Sequence, residues 1–63
     1  MPIIHVHLLE GRSVEQKRAF VRRLTESACD TLQVGPEQVR VILSEMSRGD
    51  YAIGGELLSD RPS

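Results

Sequence analysis

Two short runs rich in β-branched residues, Ile3–Leu9 (IIHVHLL) and Val39–Met46 (VRVILSEM), flank a stretch that reads as one long helix. That spacing constrains the fold more than any other feature of the chain. Strands joined through a helix lie parallel, because antiparallel neighbours are joined by short turns and parallel ones need a long crossover. The helix signals are explicit. Ser13 stands where an N-cap is needed and Gln16 follows three residues later, the pattern of a capping box. Phe20, Val21, Leu24, Ala28 and Leu32 form an apolar stripe, while Glu15, Arg18, Arg22 and Glu26 mark another face. Gly35 and Pro36 end the pattern, which predicts a helix over 14–32. The first strand is short and apolar, which predicts burial largely on both faces, and the second is expected to be buried as well.

Beyond the second strand, Gly49 and the Gly54-Gly55 pair punctuate GDYAIGGELL, which predicts a loop and a short β-hairpin. The closing SDRPS is expected to fray. The fold class is therefore α/β, a βαβ unit with a C-terminal hairpin, in a single domain over 1–63. Such a unit is incomplete. Two parallel strands under one helix do not make a stable sheet, and a chain of 63 residues buries only about 60% of its unfolded surface. Cys29 is the only cysteine, so no intrachain disulfide compensates. Association remains, with a second copy extending the sheet.

Charge and hydropathy exclude several classes. Eight Lys and Arg against nine Asp and Glu leave no basic footprint for a nucleic acid. No apolar run approaches the ~20 residues of a membrane span. MPIIHVHLLEGR lacks the basic start and long apolar core of a secretory signal. A cytoplasmic protein is expected.

Three residues invite chemistry. Pro2 opens the first strand, where a residue without an N–H is tolerated. Removal of Met1 would also make it a secondary amine, and an α-amino group of pKa about 7.7–8.0, lowered by burial and nearby cations, suits a general base. Arg12 immediately precedes the helix N-cap, where the macrodipole disfavours a cation unless an anion joins it; a solvated loop arginine is the alternative. Arg40 lies within VRVIL, so a buried guanidinium is expected to need a carboxylate. Glu45, a neighbouring subunit's glutamate, or a substrate would supply it. The remaining features read as structural. His5 and His7 share a side of the strand without a third metal ligand and are expected to be packed or hydrogen-bonded. Cys29 reads as a buried inert thiol. Lys17, Arg18, Arg22 and Arg23 read as a solvated face with Glu15 and Glu26 at helical spacing. Arg48-Gly49-Asp50 reads as a turn.

Taken together, PIIHVHLLEGRS-EQK, VRVIL-EM and Y-IGGEL resemble the 4-oxalocrotonate tautomerase family over nearly the whole chain after Met1. The resemblance implies a βαβ-plus-hairpin fold, dimers sharing a four-stranded sheet, and a hexamer of three such dimers. It implies a cofactor-independent isomerase serving the breakdown of aromatic compounds, acting on 2-hydroxydienoate or 2-oxo-enoate acids, with 2-hydroxymuconate foremost. Pro2 would be the catalytic base. Arg12, from an adjoining subunit, would hold the distant substrate carboxylate. Arg40 would bind the 2-oxo group and its carboxylate, and the Leu9 backbone would order the carbonyl through a water. Tyr51 stands where the family usually has phenylalanine, bringing a hydroxyl to a position that excludes water. Two alternatives accompany this reading: a hydratase- or dehalogenase-like relative acting on short unsaturated acids, and a non-catalytic subunit of a hetero-oligomer.

Overall fold

In a computed structural model of the chain, which describes residues 1–62, the order is β1 (Ile3–Leu9), α1 (Val14–Leu32), β2 (Arg40–Met46), β3 (Ala52–Ile53) and β4 (Glu56–Leu57). Short 3₁₀ turns occupy Pro36–Gln38, Arg48–Asp50 and Leu58–Asp60. β1 and α1 take the expected bounds, and β2 begins one residue later than expected. β1 and β2 pair in parallel, with Ile3 opposite Arg40 and Leu9 opposite Met46. β3 and β4 form the antiparallel hairpin. At its tip Gly54 and Gly55 take φ of 61° and 84°, the left-handed pair that a two-residue hairpin loop demands.

The capping box forms as the sequence specifies. The Gln16 N–H donates to Ser13 Oγ at 3.1 Å, and the Ser13 N–H donates to Gln16 Oε1 at 2.9 Å. The helix stop differs from expectation. Gln33, in the left-handed conformation at φ 57°, ends α1 before Gly35 is reached, and its Nε2 donates to the Asp30 carbonyl at 2.8 Å. A side-chain bond to that carbonyl satisfies part of the helix terminus without a glycine.

The expectation of strands buried on both faces is corrected. Burial in β1 and at the start of β2 alternates, as in a strand with one covered side. Ile4, Val6, Leu8, Val41 and Leu43 are partly covered, whereas Ile3, His5, His7, Arg40 and Ile42 are exposed. Val6 and Leu8 line a groove with Gln16 and Phe20, and Leu43 lines another with Val14 and Val21, so the covered face is the one beneath α1. The other face is open. The apolar character of both strand faces, read as burial within the chain, is thus half satisfied by the chain alone.

Little is enclosed. Among the described residues only Ala28, 9% exposed, is buried, while Ile3, Val14, Leu32 and Ile42 stay about half exposed. The radius of gyration is 14.9 Å, where a compact chain of this length would have about 10.6 Å. The accessible surface is 4796 Å², against about 4,000 Å² for a folded monomer of this mass. The tail is not frayed where described. The Arg48 guanidinium donates to the Leu58 carbonyl at 2.8 Å, and Arg61 Nε donates to Glu56 Oε1 at 2.8 Å. Of the closing residues expected to fray, Ser63 lies outside the described ones.

Candidate functional site

The candidate residues fall at opposite ends of the β1–β2 sheet. At its head, the Arg40 N–H donates to the Pro2 carbonyl at 3.1 Å, which places these two residues side by side. At its foot, Arg12 turns back and its guanidinium donates to the Leu9 carbonyl at 3.0 Å. The seven residues of β1 lie between, and six strand steps cover about 20 Å. Arg12 therefore does not reach the Pro2 of its own chain. A second copy running antiparallel beside β1 would bring its foot to this head, and the open edge of β1 is available for such pairing.

Arg40 is corrected from the buried cation expected of it. Its residue is exposed, and its guanidinium donates to the Glu37 carbonyl at 3.2 Å. Glu45 is not its partner. Five positions separate the two along one strand, and an odd separation puts them on opposite faces. Glu45 instead pairs with Lys17, whose Nζ lies 3.3 Å from Glu45 Oε2. This also corrects Lys17, which leaves the solvated basic face and reaches across the sheet. Glu15 and Glu26, expected to support that face, make no ion pair among the described residues.

The foot of the sheet opens into a groove of about 290 Å³ lined by Val6, Leu8, Arg12, Gln16, Lys17 and Phe20. Its walls are apolar and its charged groups are both cationic. Sequence reasoning identified Arg12 there and missed Lys17 and Phe20, whose i, i+3 spacing was the available signal. Tyr51 follows the foot of β2, is 40% exposed, and its carbonyl accepts from the Leu58 N–H at 2.9 Å. It lines neither this groove nor the one formed by Val14, Lys17, Arg18, Val21, Leu43 and Glu45.

The histidines are paired with protein groups. His5 and His7 stack with centroids 4.5 Å apart on the open face, and His5 Nε2 shares a hydrogen bond with Ser44 Oγ at 2.7 Å. Among the described residues no three His, Cys, Asp or Glu side chains gather as a metal site. Cys29 is half-buried rather than enclosed. No helix among the described residues is long and apolar enough to cross a membrane.

Comparison with known proteins places this geometry in context. The family model for tautomerase enzymes matches residues 2–61. The 2-hydroxymuconate tautomerase of Pseudomonas putida is 48% identical over 59 residues, covering 94% of each chain. The crystal structure of a 4-oxalocrotonate tautomerase homologue superposes with a TM-score of 0.93 at 51% identity, each chain covered completely. A chain of the heterohexameric 4-oxalocrotonate tautomerase from Chloroflexus aurantiacus superposes with a TM-score of 0.89 at 32% identity, covering 95% of this chain and 97% of that one.

Proposed function

The chain belongs to the tautomerase family, and from that premise we propose that it isomerises 2-hydroxydienoate or 2-oxo-enoate acids, with 2-hydroxymuconate its first candidate substrate, at sites shared between copies. The observation that carries this reading is the division of the candidate residues between the two ends of one sheet. Pro2 and Arg40 adjoin at the head, and Arg12 sits with the Leu9 carbonyl at the foot. Antiparallel association of two copies would complete two sites at once. A hexamer of three such pairs is the assembly that this reading adopts, and the heterohexameric relative supports it.

The chemistry follows from the residue types. Met1 is 69% exposed and open to removal, after which the Pro2 amine accepts the 2-hydroxyl proton of 2-hydroxymuconate, or a C3 proton of a 2-oxo-4-enoate. Negative charge then spreads through the dienolate, where the Arg40 guanidinium stabilises it as it develops. The proton is delivered to C5, which leaves the conjugated 2-oxo-3-enoate, and nothing is oxidised or reduced. Arg12 of the adjoining copy holds the remote carboxylate, an interaction that guanidinium makes in a bidentate manner. Tyr51 offers a phenol hydroxyl where the family usually has an apolar ring.

The test is ultraviolet-followed ketonisation of 2-hydroxymuconate by protein made without an N-terminal tag and shown by intact mass to lack Met1. Rapid, protein-dependent loss of the dienol is expected. An uncleaved extension on Pro2, which turns the amine into an amide, should slow it by about 10²–10⁴-fold, the usual worth of a general base. Equal rates with and without that extension refute the proline base. The heterohexameric relative favours a second reading, a subunit that works only beside a different chain. Failure of the pure protein to assemble would select that reading.

A further inference from the structure

The groove at the foot of the sheet holds two cations, Arg12 and Lys17, and no acidic side chain among the described residues lines it. Among the described residues only one guanidinium nitrogen of Arg12 is engaged, by the Leu9 carbonyl. Lys17 is the less expected of the two. An ammonium carries three donors, and Glu45 forms an ion pair with it at 3.3 Å. Glu45 stands opposite Leu8 in the strand register and lines the neighbouring groove, not this one. Lys17 lines both grooves, so Glu45 holds it at their boundary from the neighbouring side. Gln16 Oε1 is occupied by the Ser13 N–H, so its amide NH₂ is the group left to donate. Val6, Leu8 and Phe20 supply apolar walls for a short hydrocarbon body.

We propose that Lys17 is a specificity residue: it shares the remote substrate carboxylate with Arg12 and makes the site select unsaturated dicarboxylates over monocarboxylates of equal length. The inference rests on the proposed reading of Arg12 as a substrate cation, and it goes beyond that reading by giving the groove a second cation and a selectivity. The competing account is that the Lys17–Glu45 pair only braces α1 on the sheet, in the way of partly exposed ion pairs of small net worth.

The two accounts separate by calorimetric titration of the assembled protein with two non-reacting probes, 2,4-hexadienedioate and 2,4-hexadienoate, which differ by one terminal carboxylate. The untouched protein binds the diacid more tightly. Lys17→Met weakens the diacid by about tenfold, the worth of one charge-assisted hydrogen bond, and changes the monoacid less than twofold. Lys17→Arg restores most of the preference. Glu45→Gln breaks the brace but keeps the cation, and it leaves diacid binding intact or tightened. Equal weakening of both probes by Lys17→Met, or a Glu45→Gln variant that copies Lys17→Met, overturns the proposal in favour of a brace. A wild-type protein with no preference for the diacid overturns it outright. Turnover of 2-hydroxymuconate judges the proposed function separately, since neither probe reacts.

Discussion

Ile42 lies at the centre of the open sheet face, 48% exposed, beside Ile3 and the stacked histidines. If that face is covered by other copies, Ile42→Asp should dissolve the assembly. Full burial of an isoleucine side chain is worth about 1.5–3 kcal/mol, and half of it remains to be gained here, so the lost burial is about 1 kcal/mol per copy. Placing an unpaired carboxylate in that contact adds about 2 kcal/mol or more. In a symmetric pair each copy carries the change, which brings the total to about 6 kcal/mol, or about four orders of magnitude in dissociation constant. Sedimentation velocity across a dilution series, with circular dichroism on the same samples, reads both association and folding. The variant should sediment as a smaller species and lose structure at concentrations where the parent is intact. Arg22→Asp, on the exposed face of α1, should leave both unchanged. An Ile42→Asp protein with the parent's sedimentation and thermal midpoint would refute the argument that this face is an interface.

Two further changes probe local structure. Ser13→Ala removes the oxygen that accepts the Gln16 N–H and should cost about 1 kcal/mol in urea unfolding, with Ser13→Asp retaining the cap. Gly55→Val places a β-branched residue at φ 84° with open space around the new carbon, so the penalty of about 1 kcal/mol or more is conformational alone; amide exchange at β3 and β4 would quicken before that of β1.

These energies also mark what the sequence displayed. The capping box, the glycine pair and the apolar periodicity are local signals, so the bounds of α1 and β1 and the place of the hairpin could be read from neighbouring residues. Gln33 was not legible as a helix stop, because a left-handed glutamine has no compositional mark beside an available Gly35. The surroundings of Arg40 were misread for a different reason. An apolar run does not reveal which face is covered within the chain and which waits for another copy. The distribution of site residues was half legible: their types were suggestive from sequence, but the separation of Arg12 from Pro2 depends on the length of β1 and the parallel register. Lys17 was hidden in a basic cluster, because its ion pair with Glu45 on β2 depends on how α1 packs on the sheet.

The central claim is that Pro2 and Arg12 of one site come from different copies, and mixing tests it most directly. Chains with Pro2 blocked by an uncleaved extension and chains carrying Arg12→Ala are each assayed alone for kcat/KM on 2-hydroxymuconate. They are then unfolded together in equal amounts, reassembled and assayed again. Random pairing gives about one site in four an intact Pro2 and an intact Arg12 when the two residues come from different chains. The account predicts recovery to about a quarter of the parent's kcat/KM after mixing. Activity that stays at the mean of the two crippled proteins, while the parent treated in the same way recovers, would contradict it.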